Sequence, residues 1–197
     1  MTFARLYEFV YGLRGHPIVL EGLVDQEAKK LSSQDELWYV PCELDTKVSL
    51  GHIKQYRVSK GVYDHDSSWV TEIRYSEELN FCWKRYVCCK ELMHVFDSAD
   101  EQVNSSERFR SLVNEFEAPL PLDKASPVYL SETKTMWMAL AILCPEPVRD
   151  KFKDDWNAGA LTDYEVALAL RIPESLIKSA MGDPFSDMLV SLRPSSA

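Results

Sequence analysis

Apolar residues recur at helical spacing in the first part of the chain. Leu6, Phe9, Val10 and Leu13 fall on one face of a helix, and the Gly-His-Pro sequence that follows predicts its end. A second amphipathic pattern covers residues 20–31, with leucine, valine and alanine on one side. The chain is therefore predicted to begin with two helices.

Three further runs have the alternation, or the β-branched and aromatic content, that is typical of strands. They cover residues 36–44, 52–60 and 68–76. In the third run the side chains alternate, with Ile73 on one face and Glu72 on the other. This pattern predicts a strand with one buried face.

Helical patterns dominate the rest of the chain. The predicted helices cover residues 80–97, 106–116, 131–144, 145–156, 161–172 and 173–181. Thr162 followed by Glu165 predicts a capping box at the start of the fifth. Residues 173–181 form the last clear helix, and the tail from Leu189 onward is predicted to fray.

The order of these elements bounds the fold class. Strands followed by a run of helices favour an α+β fold over an alternating α/β fold. We predict a small, mostly antiparallel sheet within residues 1–120 and an all-helical C-terminal region in residues 121–197, joined in one compact unit. The sequence shows no internal repeat and no low-complexity segment.

The composition is that of a soluble globular protein, with 46% hydrophobic and 27% charged residues. No apolar run reaches the roughly 18 residues that a membrane span needs, and the first residues lack a signal-peptide pattern. The five cysteines are an odd number, which argues against a complete disulfide framework. We therefore expect a cytoplasmic protein with reduced thiols and no membrane partner.

The charge of the chain bears on nucleic-acid binding. A net charge of −9 opposes contact with phosphates. The predicted helices at 161–172 and 173–181 resemble a helix-turn-helix pair, but the second offers one basic side chain, Lys178. We expect this pair to serve packing or protein contact, and direct nucleic-acid binding is not expected.

Residues 85–96, RYVCCKELMHVF, carry the strongest chemical signal. Zinc peptidases with an H-E-x-x-H helix place two histidines four residues apart, so that both imidazoles reach one ion. A glutamate after the first histidine activates a metal-bound water. Here Glu91 and His94 hold the glutamate and second-histidine positions, but Lys90 stands in place of the first histidine.

The surrounding sequence resembles the ImmA/IrrE-type metallopeptidase-like proteins of bacteria and their phages. Residues 16–44, 69–98 and 138–152, the last followed by 161–181, carry the resemblance in the family's order. The active-site helix is the most specific match. The residues close to register in it are Arg85, Glu91, Leu92, His94 and Asp97.

The resemblance implies a zincin-like α+β core, with the active-site helix packed on the sheet. It implies that Glu91 is the catalytic glutamate if the chain is active, and that His94 is the second zinc ligand. Lys90 cannot ligate while it is protonated. Met93 replaces a small glycine of the family and fills space near the site.

The family's third ligand is an acid on the later helix. Counting back from Pro145, the expected positions fall on Ser131 and Lys134, while Glu132 is the nearest acid and out of register. Two of three ligands are therefore expected to be altered, which leaves His94 and Glu132 as candidate metal ligands. No cofactor is expected, and zinc is the one cofactor that the resemblance allows.

The pocket of Lys90, Glu91 and His94 is expected to keep its fold through ion pairs of the lysine with Glu91, Glu132 or Asp97. The main hypothesis is a non-catalytic pseudo-peptidase that binds a protein partner, such as a transcriptional repressor or an antitoxin. These partner classes follow from the resemblance. The alternative is an active zinc-dependent endopeptidase with a rearranged ligand set. A third hypothesis is a structural or phage-accessory module whose pocket has no function.

Two weaker signals lie elsewhere. His65 with Asp64 and Asp66 has the composition of a loose metal site, although a solvated turn is the commoner cause of such a cluster. The adjacent Cys88 and Cys89 have the arrangement of a redox pair, although cysteines on an apolar helix face usually serve packing.

Overall fold

The computed structural model describes residues 2–13, 15–59, 67–103, 105–118, 121 and 123–193. In these ranges the α-helices are α1 (Thr2–Tyr11), α2 (Asp25–Leu31), α3 (Phe81–Met93), α4 (Ser106–Glu117), α5 (Pro127–Leu143), α6 (Glu146–Asn157), α7 (Asp163–Leu170), α8 (Ile177–Met181) and α9 (Pro184–Leu192). The strands are β1 (Glu36–Cys42), β2 (Gly51–Ser59) and β3 (Ser67–Ser76). The predicted α+β class is confirmed.

The sheet is mixed, in contrast to the mostly antiparallel sheet that we expected. Its strand order is β1-β3-β2, with β1 parallel and β2 antiparallel to β3. Tyr39 of β1 and Ile53 of β2 both lie opposite Ile73 of β3. The chain turns back after β1 and again after β2, so β1 and β3 run in the same direction and pair side by side.

The central strand β3 is buried on both faces, so the prediction of one buried face was incomplete. Val70 and Ile73 lie on opposite faces and are both buried. Glu72, on the face of Val70, is also buried, and it accepts hydrogen bonds from Tyr56 and Arg74. One polar neighbour on the adjacent strand β2 and one on β3 itself thus contact a face that the alternation alone assigns to solvent.

The second predicted helix begins later than its apolar pattern suggested. Leu20–Val24 form an irregular, wide turn in which Glu21 has extended backbone and Gly22 has a φ of 80°. Glycine adopts this left-handed conformation without steric cost. The regular helix therefore begins at Asp25.

The C-terminal segment is more ordered than predicted. Residues up to Arg193 are described, and Pro184–Leu192 form helix α9. Phe185 and Leu189, one helical turn apart, are buried, and α9 packs on α5. Residues 189–192 of the tail that was predicted to fray therefore belong to α9, and residues 194–197 of that tail lie outside the described residues.

One cluster of buried side chains draws on both predicted segments of the chain. Helix α3 lies between the sheet and α5, with contacts to both. The predicted capping box is confirmed, since Thr162 and Glu165 bond each other's backbone N–H groups at the start of α7. Among the described residues, no helix has the length and apolar character to cross a bilayer.

The first residue of β2 sets how closely the sheet approaches α3. A Cβ atom at Gly51 would lie 2.5 Å from Cγ1 of Val87 and 2.7 Å from the carbonyl oxygen of Arg74. The second contact is with backbone, so a change of rotamer cannot relieve it. The next nearest atom is Cγ of Glu91, at 3.6 Å, which places this contact beside the KELMH segment.

We predict that Gly51→Ala lowers the free energy of unfolding by about 1–3 kcal/mol, the usual cost of overpacking. Chemical denaturation measures the change. Gly15→Ala is the matched control, because its added methyl group has no heavy atom within 4 Å. If the Gly51 variant were as stable as the Gly15 variant, the close approach would not constrain the fold.

Candidate functional site

Helix α3 presents the KELMH residues in its last turn. Asn80 caps the helix by accepting a hydrogen bond from the backbone N–H of Trp83. The α-helix ends at Met93, earlier than the predicted end near Asp97, and a tight turn over His94–Phe96 follows. The tight turn begins at His94, so Lys90, Glu91 and His94 still lie within one turn of each other.

Arg85 anchors α3 to two segments that are distant in sequence. Its two terminal nitrogens donate to the carbonyl oxygen of Ile18 at 3.0 Å each, and its Nε donates to the carbonyl oxygen of Arg171 at 3.2 Å. This side chain therefore connects the helix to segments near both ends of the chain.

Helix α5 supplies the facing side chains. Its first turn is capped by Ser126, and Pro127 follows at the first helical position. Glu132 is the acid that reaches the site, whereas Ser131 donates to Asp97 at 2.7 Å and Lys134 pairs with Glu101. The positions at which an acid was expected, Ser131 and Lys134, lie one residue before and two residues after Glu132.

Lys90 is at the centre of a charged cluster that also contains Glu91, His94, Asp97 and Glu132. Its Nζ lies 3.0 Å from Oε1 of Glu91 and 2.5 Å from Oε2 of Glu132. Its side chain is 17% exposed. Burial by itself disfavours the charged amine, but the two carboxylates outweigh it, so the pKa of Lys90 is raised above its ordinary value. The amine is therefore an ammonium ion at any physiological pH.

His94 is buried between three acidic side chains. Nδ1 lies 2.6 Å from Oδ2 of Asp97, while Nε2 lies 3.5 Å from Oε1 of Glu132 and 4.0 Å from Oε2 of Glu91. The hydroxyl of Thr135 is 3.3 Å from Nε2. Burial lowers the pKa of His94, but the bonds to Asp97 and Glu132 and the charge of Glu91 raise it to about 9.

Glu132 completes the network. Burial raises the pKa of its carboxyl group, but the bond to His94 and the charges of Lys90 and His94 lower it to about 2. The carboxylate is thus ionised at neutral pH and faces two cations. These cations come from α3 and the turn after it, while Glu132 comes from α5, so the network joins the two helices.

This arrangement does not fit a zinc ion. At neutral pH His94 carries a proton on both ring nitrogens, so neither has a lone pair for a metal. The ammonium of Lys90 has no lone pair either, and it contacts both Glu91 and Glu132. Across the described residues, no three His, Cys, Asp or Glu side chains are grouped so that they could hold a metal ion.

The structure also locates the weaker candidates. Cys88 and Cys89 are buried without a disulfide, and burial raises the pKa of both thiols, that of Cys88 to about 12. Both features agree with a role in packing. His65, Asp64 and Asp66 lie outside the described residues.

Thr135 is a site residue that the sequence did not reveal. Thr135 is fully buried, and its hydroxyl donates within α5 to the carbonyl oxygens of Ser131 and Glu132. Its oxygen also lies within hydrogen-bond distance of Nε2 of His94, from which it can accept a hydrogen bond. Its position four residues after Ser131 was the available signal, since both then face α3.

Comparison with known proteins adds no assignment, because no family model, no curated protein and no solved structure matches the chain. The family resemblance described above therefore stays a prediction.

The raised pKa of His94 predicts a pH dependence of stability. The pKa is about 9 in the folded protein and near 6.5 in an unfolded chain. The imidazolium therefore stabilises the fold fully below about pH 6.5, and this contribution is lost as the pH rises towards 9. We expect the free energy of unfolding, measured by chemical denaturation, to fall across this interval.

His94→Gln should remove that component of the pH dependence, because glutamine does not titrate. His16→Gln is the matched control, since His16 is exposed and outside the cluster. Equal slopes in wild-type protein and the His94 variant between pH 6.5 and 9 would contradict the protonated state described here.

Proposed function

We propose that this chain is a non-catalytic relative of the ImmA/IrrE-type metallopeptidase-like proteins, and that it acts by binding a protein partner. Partners of the transcriptional-repressor or antitoxin class are the ones that the resemblance suggests. In this proposal the KELMH helix keeps the geometry of a peptidase site without its metal chemistry.

The observation that carries the proposal is the position of the Lys90 ammonium between Glu91 and Glu132. Glu132 faces α3 as a third ligand would, so the first histidine is the one ligand position with no counterpart. The ammonium and the imidazolium of His94 together supply two positive charges, equal to the charge of a zinc ion. These two charges balance Glu91 and Glu132 without a metal, while Asp97 also lies 3.8 Å from the ammonium of Lys134.

Protonation is the main argument against the alternative, an active zinc-dependent endopeptidase. To bind zinc, His94 must lose a proton that it holds with a pKa of about 9. At pH 7 this costs about 3 kcal/mol at 1.36 kcal/mol per pKa unit. Lys90 must also leave the carboxylates or lose its own proton. Glu91, the general base of such an enzyme, is engaged by Lys90 at 3.0 Å.

A surface beside the site supports partner binding. Met136 lies one helical turn after Glu132 on α5, and its side chain is 43% exposed. Glu132 and Lys90 are each 17% exposed, so the charged cluster reaches the surface next to this apolar side chain. A protein partner that covers Met136 would also contact the rim of the cluster.

We predict that Lys90→His creates a zinc site. The new imidazole would lie four residues before His94, with Glu132 opposite, and would complete a His, His and Glu ligand set. Because three such ligands hold one zinc ion, elemental analysis should find about one zinc per chain in the variant. The melting temperature of the variant should rise when zinc is added.

Two controls accompany this experiment. The double variant Lys90→His with His94→Gln should bind no zinc, because it lacks a ligand at the second position. Stoichiometric zinc in wild-type protein, or zinc-dependent cleavage of a polypeptide by it, would refute the non-catalytic proposal and favour the alternative enzyme.

For the partner, we predict that Met136→Glu abolishes binding of a repressor-like or antitoxin-like protein to the immobilised chain. Affinity capture from an extract of the native host, followed by titration of the purified partner, measures the loss. Val190→Glu is the matched control, because Val190 is an exposed apolar residue of α9. Absence of any such partner would favour a purely structural module.

A further inference from the structure

One partly exposed face of α4 is apolar. Phe109, Val113 and Phe116 follow each other at intervals of four and three residues, so they form one stripe along the helix. Their exposed fractions are 46%, 36% and 54%. This stripe is separate from the charged cluster of α3 and α5, and the function proposed above does not use it.

The neighbouring face of α4 already has contacts with the rest of the chain. Leu112 and Glu115 are buried, and Glu115 accepts a hydrogen bond from the backbone N–H of Ser126 at the start of α5. The helix is therefore held in place by this inner face. The stripe is a second face beside the inner one, and apart from the contact of Phe116 with Tyr129 of α5 the described helices and strands leave it exposed.

A neighbouring side chain widens this surface. Phe116 has a ring contact with Tyr129, at a centroid distance of 5.3 Å, and Leu130 beside Tyr129 is 39% exposed. Contiguous apolar surface of this kind marks an interaction site more often than isolated exposed residues do. The charges along its border indicate what occupies it.

Arg110 and Glu117 lie along one border of the stripe. They are seven residues apart, which is nearly two helical turns, so they project from the same flank about 10 Å from each other. Both are exposed, and neither is in an ion pair among the described residues. At that separation they cannot pair with each other.

We propose that α4 pairs with α4 of a second copy of this chain, in antiparallel orientation about a two-fold axis. The midpoint between Arg110 and Glu117 falls between residues 113 and 114. An axis there brings Arg110 of each copy to Glu117 of the other. Val113 and Phe116 of the two copies then meet at the centre, with a Phe109 at each end.

The arrangement of charges favours a second copy over an unrelated helix. A two-fold interface uses the same surface on both subunits, so that surface must be complementary to itself. One cation and one anion, placed at equal distances on either side of the axis, meet this requirement, because the two-fold operation then creates two equivalent ion pairs between the copies. Flanking charges of this kind set partner and orientation in helix pairs.

The size of the surface predicts a reversible equilibrium. Helix α4 has 12 residues, and a standard interface buries about 800 Å² on each partner. A single pair of helices of this length covers less. Monomer and dimer should therefore exchange, with a balance that depends on protein concentration.

Sedimentation velocity over a range of concentrations tests the proposal on the full chain. Wild-type protein should shift from monomer to dimer as its concentration rises. Arg110→Glu places two acids opposite each other twice in the dimer, and Glu117→Arg does the same with two bases. Each single variant should weaken dimerisation about tenfold or more, since two attractive pairs become repulsive.

Mixing the two single variants gives the decisive result. In the mixed dimer the glutamate introduced at position 110 of one copy faces the arginine introduced at position 117 of the other. The second pair joins the unchanged Glu117 of the first copy to the unchanged Arg110 of the second. Both pairs therefore attract, and dimerisation should return to the wild-type level.

Recovery in the mixture also excludes loss of folding as the cause of the single-variant effect. The matched control is Glu107→Arg, which makes the same charge change on the side of α4 away from the stripe. This control should leave dimerisation unchanged.

Three outcomes would overturn the proposal. The first is wild-type protein that stays monomeric at all concentrations, including the case in which a different protein binds this face. The second is dimerisation that Arg110→Glu and Glu117→Arg leave unaffected, which would place the interface elsewhere. The third is a mixture that does not recover, which would exclude the antiparallel two-fold arrangement.

Discussion

The ion pair between Lys90 on α3 and Glu132 on α5 joins the two helices around which the site is built. Both side chains are largely removed from water, and each charge would be costly there without its partner. His94 and Asp97 extend the same network, so the charges are mutually dependent. The relative position of α3 and α5 thus depends on electrostatics as well as on apolar packing.

An ammonium and a zinc ion can balance the same carboxylates, but they differ in chemistry. Zinc accepts lone pairs and so acidifies a bound water. The ammonium of Lys90 is itself a hydrogen-bond donor with no orbital to offer. A site in which Lys90 and His94 carry the positive charge keeps the electrostatics of a metal centre and loses its Lewis acidity. That distinction underlies the proposal of a binding function.

Local signals predicted the elements better than their pairing or register. The capping box at Thr162 located α7 well, because both of its hydrogen bonds are made within four residues. The parallel pairing of β1 with β3 depends on contacts between distant segments, which strand patterns do not encode. The pairing of Glu132 with Lys90 was predicted, but the register of Glu132 was misjudged, since counting from Pro145 does not reveal which face of α5 meets α3. The short helix α9 was not predicted, because the burial of Phe185 and Leu189 depends on contact with α5, which the local sequence does not reveal.

Arg85 has a consequence for how the protein is made. Its guanidinium binds the carbonyl oxygens of Ile18 and Arg171, which lie 67 residues before it and 86 residues after it in the sequence. All residues of α3 are synthesised before Arg171, so this clamp closes only after Arg171 has emerged from the ribosome. Glu132 also follows α3 in the order of synthesis. The nascent chain therefore carries an incompletely anchored α3, with Lys90 not yet paired to Glu132, until these later segments have been synthesised.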